Sequence, residues 1–203
     1  MSRVRTGLSI SLDGFIGGLG ELGWPVHERL HGWKFGLASF YEAIGEDGGE
    51  DNADSRLLAE QNAHIGAFVM GKGMFDAGEE PWGDTPPFGA PVFILTHAAR
   101  ETVLKEGGTS YTFVADGIES ALAQAKAAAF DKDVFISGGA SAVQQALAAG
   151  LVDELELHVI PVLLGDGVRL FERLGREIEL EPLRVVASPN ATHLTYKVKK
   201  TQG

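Results

Sequence analysis

Two glycine turns carry residue types that can hold an anion against the main chain. Residues 134–136 are apolar, a glycine pair follows at 138–139, and helix-forming residues begin at Ala140; another apolar run ends in Gly71 and Lys72. Glycine lets the main chain approach a ligand, and the first turn of a helix presents unpaired N–H groups at its positive end. Both turns therefore fit phosphate binding. A plain tight turn between strand and helix is the alternative for each.

A third glycine segment, residues 18–23, matches the dinucleotide pattern G-x-G-x-x-G. That pattern binds pyrophosphate where a strand ends directly before it and a helix opens directly after it. Here six residues separate it from the first strand, and Trp24 and Pro25 interrupt a helix that would begin at the glycines. We interpret the segment as a mobile glycine loop and not as a Rossmann fingerprint.

His27 and His31 complete an H-E-x-x-H match, which in zinc proteases places two imidazoles one helical turn apart with a glutamate base between them. Gly32 follows directly, Arg29 puts a charge into a helix that should be apolar, and no third ligand is evident. We predict no metal and interpret the segment as a surface helix that flanks a pocket. A zinc hydrolase using His27 and His31 stays as an alternative.

Strands and helices alternate along most of the chain. The predicted strands are residues 4–11, 67–70, 91–96, 111–115, 133–137 and 155–162, with a terminal hairpin of 183–188 and 193–199. The predicted helices are 117–129, 140–149 and a short helix over 55–64 capped by Asp51 or Asp54, and the irregular stretch 12–54 holds a helix over 27–43. This order implies a largely parallel sheet with antiparallel strands at one edge, in a single domain over residues 1–203.

The composition excludes several classes of protein. Hydrophobic residues make up 44% and charged residues 22% of the chain, as in ordinary globular domains. The absence of cysteine excludes disulfides, thiol catalysis and cysteine-ligated metals, and fits a cytoplasmic location. A net charge of −11 disfavours nucleic acid as a partner, and no apolar run approaches membrane-spanning length. Loop amides and helix N-termini can still bind an anionic cofactor.

Four segments together resemble the dihydrofolate reductase superfamily: residues 9–17 (SISLDGFIG), 69–76 (VMGKGMFD), 92–97 (VFILTH) and 134–141 (VFISGGAS). Residues 138–171 resemble most the C-terminal reductase domain of the bifunctional riboflavin-biosynthesis deaminase–reductase, in a stand-alone form. The resemblance covers nearly the whole chain. It implies a dihydrofolate-reductase-like, three-layer α/β/α fold, NADPH as cofactor and a homodimer. The zinc-deaminase signature of the full riboflavin enzyme is absent, so deamination is excluded.

The resemblance also implies a cofactor groove along the carboxyl ends of the strands. Its expected contacts are Ser11, Gly14, Phe15 and Ile16 on the nicotinamide side, Gly71, Lys72, Met74, Ser137, Gly138, Gly139, Ala140 and Ser141 around the pyrophosphate, and Thr96, His97 and Arg100 at the adenosine 2′-phosphate. Related reductases often carry arginine where this chain has Lys72. Lysine keeps the charge and loses the bidentate fork, so the sequence leaves the preference for NADPH over NADH open.

Hydride transfer also needs a proton. In dihydrofolate reductases proper, a buried carboxylate on the helix before the Val-Met-Gly strand holds the pterin, and here that helix offers Asp54 and Glu60. A helix cap for Asp54 and a solvated position for Glu60 are equally good interpretations. The expected substrate contacts are Asp13, Trp24, His31 and Gly165. The aromatic and titratable stretch from Trp24 to Phe35 suits a flat heterocycle, although packing against the sheet explains the tryptophans equally well.

We therefore predict an NADPH-dependent reductase that transfers hydride to a small pteridine- or pyrimidine-like heterocycle. Candidate substrates are 5-amino-6-(5-phosphoribosylamino)uracil and dihydrofolate. Only Lys34, Arg56 and Arg169 offer further basic contacts for a phosphoribosyl group, so a different heterocycle is an equally good hypothesis. The alternative is a non-catalytic NADP-binding protein that has kept the groove and lost the proton donor.

Overall fold

The computed structural model describes residues 2–19 and 23–200, and only the main chain of Trp24. The elements in chain order are β1 (Val4–Ser11), β2 (Phe15–Gly17), α1 (Gly23–His31), α2 (Ala38–Ala43), α3 (Ala53–Asn62), β3 (Ile65–Gly71), α4 (Lys72–Trp82), β4 (Pro91–Leu95), β5 (Val103–Leu104), β6 (Ser110–Val114), α5 (Gly117–Ala129), β7 (Asp133–Gly138), α6 (Ala140–Ala148), β8 (Glu154–Ile160), β9 (Val168–Arg169), β10 (Leu180–Ala187) and β11 (Thr192–Val198). Short 3₁₀ turns lie at Gly32–Lys34 and Glu106–Gly108.

The main sheet has the strand order β10-β11-β8-β1-β7-β3-β4-β6-β5. The strands from β8 to β6 run parallel to one another. The antiparallel hairpin β10–β11 forms one edge, and the short antiparallel strand β5 forms the other. Strands β2 and β9 make a separate antiparallel pair. The predicted mostly parallel sheet with a C-terminal antiparallel hairpin is confirmed.

Alternate residues of the central strands face two different helical layers. On one face, Leu122 of α5 and Val143 of α6 share a buried cluster with Val69. On the other face, Phe75 of α4 shares a second cluster with Met70. Since side chains alternate along a strand, neighbouring positions in β3 serve opposite cores. Each such buried side chain contributes about 1.5–3 kcal/mol, and the three-layer α/β/α arrangement is confirmed.

The predicted helix over residues 27–43 is wrong, because it consists of α1, a 3₁₀ turn and α2. Leu37 interrupts it with an extended backbone (φ −91°, ψ 146°), and the flanking residues pair with Glu50 instead of continuing the helix. The expectation that Trp24 and Pro25 prevent a helix at the glycines is also wrong. Helix α1 begins at Gly23, and a proline in the first helical turn loses no hydrogen bond.

The prediction that Asp51 or Asp54 caps the third helix is wrong as well. Helix α3 begins at Ala53, and its cap is Asn52, whose side-chain oxygen accepts a hydrogen bond of 3.0 Å from the Ser55 main-chain N–H. Asp54 lies in the first turn of the helix and points inward, with 1% of its surface exposed. Its carboxylate can therefore form hydrogen bonds with other buried side chains.

The G-x-G-x-x-G segment lies partly outside the described residues, which lack 20–22, so its prediction as a mobile loop has no structural description there. Its flanks are β2 and α1. Strand β2 pairs antiparallel with β9 and is not part of the parallel sheet, so the βαβ geometry of a Rossmann fingerprint is not formed. In the described part of the chain, every helix is too short or too polar to cross a lipid bilayer.

Candidate functional site

The carboxyl ends of β3, β4 and β7 open onto a groove of about 780 Å³. Parallel strands present their carboxyl ends at the same edge of the sheet, where open α/β folds bind ligands. Eight residues expected at the cofactor line this groove: Gly71, Lys72, Met74, Thr96, His97, Gly139, Ala140 and Ser141.

The two glycine turns lie side by side at the floor of the groove. Met70 is the register partner of Gly138 in the sheet. A Cβ atom placed on Gly71 would lie 3.6 Å from the main-chain nitrogen of Gly139. Helix α4 begins directly after one turn and helix α6 directly after the other. Two helix N-termini therefore face the same space, and both favour an anion there.

The glycine pair leaves the main chain bare at this point. Gly138 has a φ of +128°, which a residue with a side chain adopts only under strain, and the Gly138–Gly139 peptide is cis. Gly139 has an ordinary φ of −71°, and a Cβ atom built on it would have no atom within 4 Å. A side chain at Gly139 would thus occupy space that a ligand can fill. The hydroxyl of neighbouring Ser137 is buried and has no hydrogen-bond partner within the described residues.

Basic side chains add positive charge along the groove. Lys72 forms an ion pair with Asp76 one helical turn away. Arg169 lines the opposite wall, where its guanidinium lies 4.3 Å from the centre of the Phe15 ring and donates to the Asp13 carbonyl. The main-chain amides, the helix N-termini and these two cations are groups that complement phosphates.

Arg100 does not line the groove. Its guanidinium forms an ion pair of 3.0 Å with Glu79 and lies 4.0 Å from the centre of the Phe113 ring. The structure therefore gives Arg100 a partner other than a 2′-phosphate. Thr96 and His97, at the end of β4, remain the groove residues on that side.

The turn after β1 is tied to the loop before β9. The Ser11 hydroxyl donates to Asp13 (2.6 Å) and accepts from the Phe15 N–H (2.9 Å). The Asp13 carboxylate accepts from the main-chain N–H groups of Leu164 (3.1 Å) and Gly165 (2.7 Å). These bonds, led by the one from Ser11, lower the pKa of Asp13 to about 2. Asp13 and Gly165, both expected at the substrate, thus bind each other.

The remaining nicotinamide-side residues lie beside the groove and not in its lining. Phe15 is buried beneath Arg169, and Ile16 packs against the main core. Gly14 has a φ of +94°, and its carbonyl accepts from the Leu170 N–H at 3.2 Å. The turn after β1 contacts the groove through Arg169, which binds Asp13 and Phe15 and also lines the groove.

Asp54 ends a hydrogen-bonded chain of buried side chains. Its Oδ1 lies 2.8 Å from Nε2 of His193, and its Oδ2 accepts from Nδ2 of Asn190 at 3.1 Å. Nδ1 of His193 lies 2.8 Å from Nδ1 of His158, and both imidazoles are 3% exposed. The Trp33 ring packs against both, with centroid distances of 5.5 Å.

Burial and hydrogen bonding set the charge states in this chain. Burial alone would raise the pKa of Asp54, but hydrogen bonds from Ser188, His193 and Asn190 hold it below its ordinary value. Burial lowers the pKa of His158 well below its ordinary value, and Lys34 adds to the shift. Asp54 is therefore a carboxylate and His158 a neutral imidazole near pH 7. Partly buried Lys34 has its own pKa lowered to about 8 by desolvation.

The second expected carboxylate, Glu60, lies elsewhere. It is exposed on α3 and forms an ion pair of 2.9 Å with Arg184 of β10. Of the two carboxylates that the sequence offered, only Asp54 is buried.

The rings of the two histidines in the H-E-x-x-H segment lie against each other at an angle of 36°. The His27 and His31 rings have a centroid distance of 4.6 Å. Burial lowers the pKa of both, that of His31 to about 3. In the described part of the chain, no three His, Cys, Asp or Glu side chains converge to hold a metal ion.

A second cavity, of about 680 Å³, lies between α1 and the turn that joins β10 to β11. Its lining consists of Pro25, Glu28, Arg29, Gly32, Trp33, Ile160, Pro161, Pro189 and Asn190. Trp24, expected at the substrate, has its side chain outside the described residues, and His31 lines neither cavity.

The sequence prediction missed His158, His193 and Asn190. The pattern gave no signal for the histidines, because His158 alternates on the same side of β8 as Glu154 and Glu156, and β11 contains several other polar residues. Their pairing depends on the antiparallel register of β8 and β11, in which His158 and His193 are direct partners. The sequence alone does not show which residues of β8 and β11 face each other.

The fold and the groove together define a dihydrofolate-reductase-like α/β domain. The chain belongs to the RibD C-terminal domain family, whose model matches residues 3–194. A protein from Shewanella sp. PV-4 named for riboflavin biosynthesis is 24% identical, with a TM-score of 0.70 over 97% of this chain and 99% of that one. The riboflavin biosynthesis reductase Rib7 of Saccharomyces cerevisiae is 12% identical, with a TM-score of 0.61 over 98% and 90%.

Dihydrofolate reductase from Enterococcus faecalis, solved with NADP(H), has the same fold. It is 16% identical, with a TM-score of 0.52 over 97% of this chain and 96% of that one. The expected resemblance and fold class are confirmed. Family and fold together support an oxidoreductase of the reductase type.

Proposed function

We propose that this protein is an NADPH-dependent reductase that transfers hydride to a small conjugated nitrogen heterocycle. One observation carries the proposal: two bare glycine turns lie side by side beneath two helix N-termini, and Gly139 leaves open space above it. That arrangement suits the pyrophosphate of a dinucleotide, which needs main-chain donors and close approach. The reductase fold and the NADP(H) complex of a structural neighbour support the same cofactor.

The groove residues would divide the cofactor between them. Gly71, Gly139 and Ala140 would hold the pyrophosphate with main-chain N–H groups, and Lys72 would add charge. Thr96 and His97 would contact the adenosine side. When bound, NADPH supplies a hydride, which carries two electrons to a carbon of the substrate. The protein would exclude water and hold the substrate at contact distance from the hydride donor, and both effects lower the barrier to transfer.

The nitrogen of the reduced bond must gain a proton as the carbon gains hydride. Asp54 is the best supported of the carboxylates for a part in that step, because it is buried and linked to two imidazoles. Glu60 is exposed and paired with Arg184, so we no longer place it at the site. Asp54 is ionised and 1% exposed, so its part would be to hold the Asn190 side chain in place, and the proton would come from solvent.

The test is a titration of NADPH and NADH against the wild type and Gly139→Asp. The aspartate side chain has room and an ordinary backbone, so the variant should fold with an unchanged unfolding midpoint. Its negative charge should weaken NADPH binding roughly tenfold or more, since it replaces the anion's place at a helix N-terminus. Gly36→Asp is the matched control, because Gly36 is exposed, far in sequence from the groove, and also open around Cβ.

The reductase proposal fails if neither nucleotide binds the wild type. Binding that persists unchanged in Gly139→Asp would move the cofactor away from this groove. Tight binding with no NADPH oxidation on any pteridine or pyrimidine would favour the non-catalytic NADP-binding alternative.

We also infer a cytoplasmic homodimer. The lack of cysteine fits a reducing compartment.

Edge strand β10 exposes Leu183 and Val185, which are 50% and 64% accessible, and an exposed apolar edge favours pairing with a second copy. Val185→Lys should then convert a dimer into a monomer in light scattering. A wild type that is monomeric at high concentration would contradict the inference.

A further inference from the structure

The cavity beside α1 and the cofactor groove lie at the carboxyl ends of strands two positions apart in the sheet, β8 and β7. Ile160, at the end of β8, lines this cavity and is the register partner of Ser11 at the end of β1. Strand β1 lies between β8 and β7, and the groove begins at the carboxyl end of β7. Occupants of the two spaces would therefore flank the end of β1.

Asn190 lines this cavity and has a side-chain oxygen that does not take part in its bond to Asp54. Asp54 is ionised, so its oxygens only accept, and the Asn190 group that meets Oδ2 must be the amide nitrogen. The Asn190 main-chain N–H also donates to the Ser188 hydroxyl. The side chain is exposed and lines the cavity. Because the amide nitrogen meets Asp54, Oδ1 is the atom that can accept a hydrogen bond from a ligand.

The buried chain behind Asp54 fixes this orientation. His158 is neutral, and Asp54 accepts from the Nε2–H of His193. The Nδ1 atoms of the two histidines share one proton between them. Asp54 accepts from His193 whichever of the two Nδ1 atoms donates. Because Asp54 carries no proton, it cannot donate to the Asn190 side-chain oxygen. The amide is therefore held with its nitrogen toward Asp54.

Trp33 supplies an aromatic wall to the same cavity. Its indole is held from behind, because Nε1–H donates to the Ser9 hydroxyl at 3.2 Å and the ring packs on both buried imidazoles. The rim carries one carboxylate, Glu28, and one guanidinium, Arg29. Since these charges cancel, the rim gives no preference to a phosphorylated group over a neutral one.

We propose that this cavity is the substrate site, where a flat, uncharged nitrogen heterocycle packs on Trp33 and donates a ring N–H to Oδ1 of Asn190. The inference rests on the reductase function proposed above and names its substrate class. Asn190 is the specificity-determining residue, and Asp54, His193 and His158 are positioning residues that act through it. The site discriminates rings with an N–H donor from N-alkylated rings, because the acceptor cannot become a donor.

The experiment measures the equilibrium binding of two probes to the intact protein, with and without NADPH. Lumazine (pteridine-2,4-dione) has ring N–H groups, and 1,3-dimethyllumazine has methyl groups in their place. Wild type should bind lumazine about tenfold more tightly than the dimethyl compound, as expected for one hydrogen bond lost inside a cavity. Asn190→Ala should lose that discrimination, whereas Asn62→Ala, an exposed asparagine at the end of α3, should keep it.

Asp54→Asn tests the positioning role, because it lets the Asn190 amide turn without changing any cavity-lining side chain. This variant should bind the two probes within about threefold of each other and still bind NADPH like the wild type. Nitrogen-15 NMR of the histidine side chains should show His193 with its proton on Nε2 in the wild type.

Equal affinity of the wild type for both probes would overturn the inference, and so would discrimination that survives in Asn190→Ala. Binding of NADPH without any binding of lumazine would also overturn it while leaving the proposed reductase intact. Failure of the wild type to bind either nucleotide would instead remove the proposed function itself.

Discussion

Acidification below about pH 6.5 should destabilise this protein, because buried His158 and partly buried His31 are held in the neutral form. Burial, reinforced by the charge of Lys34, lowers the pKa of His31 to about 3 and that of His158 well below its ordinary value. In the unfolded chain both titrate near about 6.5. Below that pH the unfolded state binds protons that the folded state cannot bind, so stability falls as pH falls.

The size of this effect follows from linkage. Each such histidine changes the free energy of unfolding by about 1.4 kcal/mol per pH unit below its unfolded pKa. Between about pH 7.5 and pH 5, each contributes a loss of about 2 kcal/mol, and the pair about 4 kcal/mol. That is a large part of a typical total of about 5–15 kcal/mol. Glu156 opposes the loss in part, since burial raises its pKa and its protonation favours the folded state.

Urea unfolding at the two pH values measures the difference directly. His158→Asn should be less stable than the wild type at neutral pH and should lose about 2 kcal/mol less on acidification. His64→Asn is the control, because His64 is exposed, and its pH dependence should match that of the wild type. Equal unfolding free energies of the wild type at both pH values, or equal slopes for wild type and His158→Asn, would refute the reasoning.

Three further predictions concern single contacts. Asn52→Ala should lower the free energy of unfolding by about 1 kcal/mol in urea, because it removes the α3 cap; no change would mean that the cap is redundant. Arg5→Met should lower the free energy of unfolding by about 3–5 kcal/mol in thermal unfolding, because the buried carboxylate of Glu156 loses the guanidinium whose Nε lies 3.0 Å away. A decrease of less than about 1 kcal/mol would show that Glu156 is neutral in the fold. Asp13→Ala should speed hydrogen exchange at the Gly165 amide, because this N–H loses its acceptor. An unchanged exchange rate would show that other contacts hold the loop before β9.

Local sequence was sufficient for most of the fold. Periodic apolar runs bounded by glycine located the central strands within a residue or two, because a strand buried on both faces needs a continuous apolar run. It also located the two glycine turns that follow β3 and β7, where Gly138 has a φ of +128° that favours glycine. The errors fell between residues 23 and 54, where Leu37 and Asn52 set helix boundaries through backbone pairing and a cap that propensity does not reveal.

The second cavity and the chain behind it were decided by tertiary structure alone. His158 and His193 lie 35 residues apart, and Asp54 and Asn190 lie 136 apart, so no local pattern connects them. Their contact depends on the register of β11 against β8 and on how α3 is placed over that edge. Charge and hydrogen bonding at a buried site are properties of this placement, because desolvation and partners, not residue type, set which atoms hold protons. The residue types in the sequence indicated which side chains could do chemistry. The tertiary structure determined which of these side chains are in contact.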